Sequence, residues 1–168
     1  MQAERECSTI HRYSEKVGDA VLTPSMEDYL EKIYELMKDK GYARVSDIAS
    51  SLAVQPSSVT KMLQKLDEQE YVSYEKYRGI VLTKSGEQMG KSMIQRHSML
   101  EDLLRMLSVQ EDTIRIDVEG IEHHVSPQTL TQLHYLMQFF QCNPQILKAF
   151  SQFRKERIDA SDESTTVS

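Results

Sequence analysis

Apolar residues recur along this chain at helical spacing, and short breaks divide them into elements. Met26, Tyr29, Leu30, Ile33, Leu36 and Met37 stand three and four apart, which predicts an amphipathic helix. Thr23-Pro24 opens it with a cap and a proline at the first helical position, and Gly41 stops it. A short second helix carries Ile48, Ala49 and Leu52 behind a cap at Ser46. A turn follows at Ala53-Val54-Gln55, and Pro56 opens a third helix with Val59, Met62, Leu63 and Leu66 on one face. Two short helices joined by a tight turn form the helix-turn-helix pattern. The period then drops to two: Val72 and Tyr74, then Ile80 and Leu82, alternate with polar residues around the basic turn Lys76-Tyr77-Arg78-Gly79. Helix, helix-turn-helix and hairpin, in that order, predict a winged helix.

The second half is helical throughout. A long helix from about Lys84 to Leu107 places Met89, Met93, Ile94, His97, Leu100, Leu104 and Leu107 along its inner face. The next, from about Glu111 to Val125, turns Ile114, Val118, Ile121 and Val125 inward. Ser126-Pro127 restarts a helix with Leu130, Leu133, Met137 and Phe140, and Asn143-Pro144 precedes a last one with Ile146, Leu147, Phe150 and Phe153. These faces exceed what a small winged helix must cover, so a second subunit is expected to bury them. The fold class expected is therefore mainly α: an N-terminal winged helix-turn-helix of three helices and a two-stranded wing, then a helical dimerisation domain. The expected divisions are a loosely ordered arm over 1–22, a DNA-binding domain over 23–91, a metal-binding and dimerisation domain over 92–158, and a disordered tail over 159–168.

Composition adjusts this picture in two places. At 168 residues and 39% hydrophobic content, the chain has enough apolar surface for a core, but its net charge of -6 excludes nucleic-acid binding by bulk positive charge. Regional charge matters more: from Tyr42 to Lys91 seven basic residues face six acids. Ser57, Ser58, Thr60, Lys61, Gln64 and Lys65 on the third helix, with Lys76 and Arg78 on the wing, gather side chains able to contact phosphates and base edges of double-stranded DNA. Cys7 and Cys142 have no CxxC spacing and are expected to be structural or idle in a reducing compartment. No apolar run is long enough to cross a bilayer, so a soluble, cytoplasmic protein is expected. Gly-rich phosphate loops, nucleophile elbows and HExxH are all missing.

The remaining chemistry is metal-like. Glu119, Glu122 and His123 fall at i, i+3 and i+4, on one face of a helix. Asp28 and Glu31 stand three apart on the first helix, and His97 lies within an apolar stripe. Each group alone reads as a solvated carboxylate pair or a core histidine; together the six form a ligand set. Four carboxylates carry a formal charge of -4, which two divalent cations would cancel. Carboxylates with two imidazoles and no thiolate suit Mn(II) or Fe(II) better than structural zinc, although intrinsic affinity still ranks Zn(II) above Mn(II), so geometry must supply selectivity.

At Thr23-Pro24-Ser25-Met26-Glu27-Asp28-Tyr29, Gly41-Tyr42-Ala43-Arg44-Val45-Ser46-Asp47-Ile48-Ala49, Pro56-Ser57-Ser58-Val59-Thr60-Lys61-Met62, Tyr74-Glu75-Lys76-Tyr77-Arg78-Gly79 and Asp117-Val118-Glu119-Gly120-Ile121-Glu122-His123-His124, the chain resembles the manganese branch of the diphtheria toxin repressor family. The resemblance runs in order from about Thr23 to Phe150, and residues 1–22 have no counterpart in it. It implies a homodimeric repressor that binds operator DNA when loaded with Mn(II), two ions per subunit, and shuts off manganese uptake genes, with no small-molecule substrate. It implies Asp28, Glu31, His97, Glu119, Glu122 and His123 as metal ligands. In the family's iron-responsive members a methionine and a cysteine take the positions of Asp28 and Glu119. Two alternatives stay open: a carboxylate-bridged di-metal enzyme in a helical bundle, and an iron- or zinc-responsive repressor on the same scaffold.

Overall fold

The computed structural model describes residues 22–75 and 79–165; the expected arm apart from Leu22, the wing residues Lys76 and Arg78, and the last three residues lie outside them. The elements are α1 (Pro24–Lys40), α2 (Val45–Ser51), α3 (Pro56–Glu68), β1 (Val72–Glu75), β2 (Gly79–Leu82), α4 (Lys84–Met106), α5 (Glu111–Ile121), α6 (Pro127–Cys142) and α7 (Pro144–Thr165). They form two compact units that divide between Ser98 and Met99, and α4 runs unbroken through that division.

The first unit is the winged helix. Thr23 caps α1, its side chain accepting from the Met26 N–H at 3.4 Å, and Gly41 ends it in the left-handed region at φ 77°, its N–H donating to the Met37 carbonyl. Leu22, expected to close the loose arm, is instead buried in the core with Met26, Leu30 and Ile33. Ser46 is not the cap of α2: the helix starts at Val45 behind an extended Arg44, which makes no side-chain cap bond. The turn into α3 passes through Ala53 at φ 52°, and the Val54 N–H donating to the Ala49 carbonyl closes it. Left-handed residues other than glycine also end α3 at Glu70 (φ 59°) and α4 at Ser108 (φ 58°). In each case a bond from the next residue back across the turn offsets the Cβ strain: Tyr71 to Leu66, and Val109 to Leu104.

β1 and β2 pair antiparallel with Val72 opposite Leu82 and Glu75 opposite Gly79. Val72 and Ile80 are buried and Ser73 and Val81 face out, as the alternation predicts. Thr83 then joins the wing to α4. Its hydroxyl donates to the Glu70 carbonyl at 2.6 Å and accepts from the Gly86 N–H at 3.0 Å, capping the new helix. Two glycines let α4 lie close: a Cβ on Gly86 would overlap the Tyr71 carbonyl oxygen, and one on Gly90 would come within 2.6 Å of the Tyr34 Cβ.

The second unit packs Met99, Leu100 and Leu103 of α4, Ile114 and Val118 of α5, and Leu130 and Met137 of α6 into its own core. Arg105 turns the corner from α4 to α5, its Nε and Nη2 donating to Glu111 at 2.7 and 3.0 Å. That hydrogen bond holds the Glu111 carboxyl below its usual range. From α7, Arg154 donates to the Leu107 carbonyl at 2.6 Å, satisfying an acceptor at the end of α4. α7 reaches Thr165, well into the stretch expected to be disordered, because extending an existing helix costs far less than starting one. Cys142, expected to be structural or idle, ends α6. Tyr135, Leu136, Phe139, Ile146, Phe150 and Phe153 remain exposed on α6 and α7 in the single chain.

Gly120, next to last in α5, contrasts with Gly86 and Gly90: nothing lies within 4 Å of a Cβ built there, and its φ is not positive. Gly120→Ala is therefore expected to raise stability by up to about 1 kcal/mol, or roughly 2–4 °C in melting temperature, by helix propensity alone. A fall in melting temperature by calorimetry would contradict this.

Candidate metal centre and DNA-facing surface

α5 was expected to continue to Val125 but ends at Ile121, because the residue before Pro127 must be extended to cap α6 (Ser126, φ -64°, ψ 152°) and the chain uses residues 122–124 to turn. Glu122 and His123 therefore stand just past the helix. Ile121, expected to pack inward, is 39% exposed. Glu122 itself keeps helical dihedrals (φ -60°, ψ -32°), so it still follows Glu119 on the same side.

The structure brings three of the six expected ligands together: one donor atom each from His97, Glu119 and Glu122 lie within 4.8 Å of one another. Ligand atoms about 2.1 Å from one divalent ion stand roughly 3–4 Å apart, so this set needs only small side-chain adjustments to share one. The burial suits the purpose, with Glu119 exposed, His97 half-buried, and Glu122 only 2% exposed. A cation beside a buried carboxylate and a second carboxylate offsets their like charge. The donor set therefore fits a hard or borderline divalent metal.

The other three lie outside that group. His123 adjoins it in sequence, its Nε2 3.8 Å from Glu122 Oε1, and its side chain is 10% exposed. Asp28 and Glu31 are half-buried on α1. What the sequence reading missed is beside them: Arg96, next to His97, donates from Nη2 to Oε2 of Glu27, next to Asp28, at 2.6 Å. No periodicity reveals a pair separated by 69 residues. The available signal was that each partner adjoins a candidate ligand.

On α3, Ser57, Ser58, Lys61, Gln64 and Lys65 are exposed opposite the buried Val59, Leu63 and Leu66. Thr60 is half-buried, and its hydroxyl donates back to the Pro56 carbonyl at 3.1 Å, so its proton is not available to a phosphate. Asp67 accepts from the Tyr74 N–H at 3.0 Å and ties β1 to the end of α3. A further cation stands at the start of the helix-turn-helix: the Arg44 guanidinium lies 4.8 Å over the exposed Tyr42 ring. Among the described residues, no helix is long and apolar enough to cross a membrane.

The sequence matches the family described as "Iron dependent repressor, N-terminal DNA binding domain" over residues 21–80, and "Iron dependent repressor, metal binding and dimerisation domain" over 83–151. It is 52% identical over 140 residues to the HTH-type transcriptional regulator MntR of Listeria innocua, covering 83% of this chain and 99% of that protein. It is 59% identical over 119 residues to the MntR of Bacillus subtilis, covering 71% and 84%. Among solved structures it is similar to that of the manganese regulator SloR, with a TM-score of 0.60 and 31% identity. That match covers 70% of this chain and 55% of the longer SloR chain.

Proposed function

This chain belongs to the iron dependent repressor family, the family of the diphtheria toxin repressor, and from that membership we propose that it senses Mn(II) and, when loaded, shuts off manganese uptake genes. It is a metal-dependent transcriptional repressor and not an enzyme. Family membership explains the winged helix, which a di-metal enzyme would leave without a role. The family acts on DNA and dimerises through its second domain. The exposed aromatic face of α6 and α7 suits contact with a second copy, and a cytoplasmic location suits a regulator of this kind.

The observation that carries the reading is the convergence of His97, Glu119 and Glu122 in a chain whose first unit is a DNA-binding winged helix. With Asp28, Glu31 and His123 they would hold Mn(II), two ions per subunit. Carboxylates at Asp28 and Glu119, and the similarity to the manganese regulator SloR, favour Mn(II) over Fe(II) or Zn(II). When bound, the cations supply the positive charge that offsets four carboxylates. Without it the carboxylates repel one another. With that repulsion relieved, the ligand-bearing segments are held together, and less conformational freedom is lost on DNA binding. The two α3 helices of a dimer then reach successive major grooves roughly 34 Å apart.

Loss of the free-ion electron paramagnetic resonance signal during Mn(II) titration is expected to saturate at two ions per subunit. A chain that took up none would end the metal-sensing reading. On the DNA side, Lys61→Ala is expected to weaken operator binding about equally across sequences and to reduce the slope of log K against log salt by about 1. An unchanged slope would remove Lys61 from the interface.

A further inference from the structure

We propose that Glu27 and Arg96 are positioning residues for the metal site: their ion pair fixes the register of α1 against α4, and so sets the affinity for a divalent cation without either side chain touching it. The inference rests on the metal-sensing reading above.

The pair lies between the two helices with little solvent, the side chains 14% and 18% exposed. Its partners stand one residue before a candidate ligand on each helix, Glu27 before Asp28 and Arg96 before His97. Consecutive helical residues differ by 1.5 Å in rise and about 100° in direction. Any slide or rotation that breaks the pair therefore displaces Asp28 and His97 by a comparable amount, and ligand distances tolerate only a few tenths of an ångström.

A second contact makes the register definite. Seven residues along α1 from Glu27 is Tyr34, and six residues back along α4 from Arg96 is Gly90, onto whose open face Tyr34 packs. The helices thus run antiparallel, matched at two points about two turns apart. Glu31 falls on the α1 segment between those points, and Asp28 directly beside the first.

The bonding is also unusual for a pair that only stabilises. Arg96 reaches Glu27 through Nη2, and its buried Nε has no hydrogen-bond partner among the described residues. A part-buried ion pair with an unsatisfied donor contributes little net stability compared with an apolar contact of the same volume. What it supplies is a directional constraint, since the guanidinium meets a carboxylate only along defined lines.

The test uses the full chain and compares two readouts: the Mn(II) dissociation constant from electron paramagnetic resonance, and the melting temperature of the metal-free protein. Arg96→Met keeps the apolar stem and removes the charge, and is expected to weaken Mn(II) binding about tenfold or more. Operator affinity at saturating Mn(II) should stay within about twofold of the unsubstituted protein. The double swap Glu27→Arg with Arg96→Glu should recover most of the lost metal affinity. Should Arg96→Met fail to fold, Glu27→Gln, which keeps an acceptor and removes the charge, is expected to give the same weakening. A lowered melting temperature with unchanged Mn(II) affinity would overturn the proposal and leave a purely structural ion pair. An unsubstituted chain that binds no Mn(II) would overturn the metal-sensing reading itself, and the positioning role with it.

Discussion

Glu122→Gln is expected to leave the protein folded and abolish its response to Mn(II). Glu122 is the most buried of the candidate ligands, and its carboxylate shares its surroundings with Glu119 and His97. Glutamine keeps the shape and one acceptor oxygen but removes the charge, which relieves the repulsion from Glu119 and gives up the ion pair with His123. The melting temperature of the metal-free protein should stay within a few degrees. Metal binding should fall at least 100-fold, because a neutral amide is a poor ligand and the charge balance of the site is lost. The stabilisation that excess Mn(II) gives the unsubstituted protein, about 2.7 kcal/mol at a concentration 100 times the dissociation constant, should disappear. Thermal unfolding with and without Mn(II) checks both halves. A variant that still gained stability from Mn(II) would place the metal elsewhere.

Gly86→Ala is the substitution expected to cost most stability. A Cβ at this position falls on the Tyr71 carbonyl oxygen, which belongs to the backbone and already accepts from the Thr83 N–H at 3.1 Å. It cannot move without opening the junction between wing and α4. The same junction holds the Thr83 cap, whose acceptor bond comes from the Gly86 N–H. Overpacking against backbone together with loss of a cap should destabilise by about 3 kcal/mol or more. Because α4 carries His97 from this junction, metal affinity should fall as well. Denaturant unfolding of Gly86→Ala beside Gly120→Ala makes the comparison: the same chemical change, opposite in sign, decided by what surrounds the glycine. Equal effects at both sites would show that the close approach of α4 to the wing is not what Gly86 provides.

Local chemistry made α1 legible from the sequence. Thr23-Pro24 and Gly41 bracket it, and the structure places cap, proline and left-handed glycine at those residues. The hairpin was legible for a similar reason, since alternation fixes which residues face the core. Errors fell where the determining interaction is distant or backbone-specific. Arg44 replaces Ser46 as the residue before α2 because backbone conformation, not a side-chain bond, sets that start. The end of α5 moved from Val125 to Ile121 because the demands of Ser126 and Pro127 act backward along the chain. Leu22 was assigned to a loose arm because residues 1–22 show no sustained periodicity, yet it is buried in the first core. Gly86 and Gly90 gave no signal at all, because a helical glycine reads as a weakness until the opposing surface is known. Among the candidate ligands, spacing alone put Glu119, Glu122 and His123 on one face; the fold brings His97 to the first two, and His123 lies outside that group. The pairing of Glu27 with Arg96 depends wholly on tertiary structure.

The most direct test of the central claim is fluorescence anisotropy of a labelled palindromic operator fragment from upstream of a manganese transporter gene. Metal-free protein is titrated onto it at fixed salt, alone and with saturating Mn(II), Fe(II) under anaerobic conditions, or Zn(II). Operator affinity at least 100-fold tighter with Mn(II) than without metal, and only weakly improved by Zn(II), is the predicted result. Equal affinity with and without every metal would contradict it, since His97, Glu119 and Glu122 would then gather for a purpose unconnected with DNA.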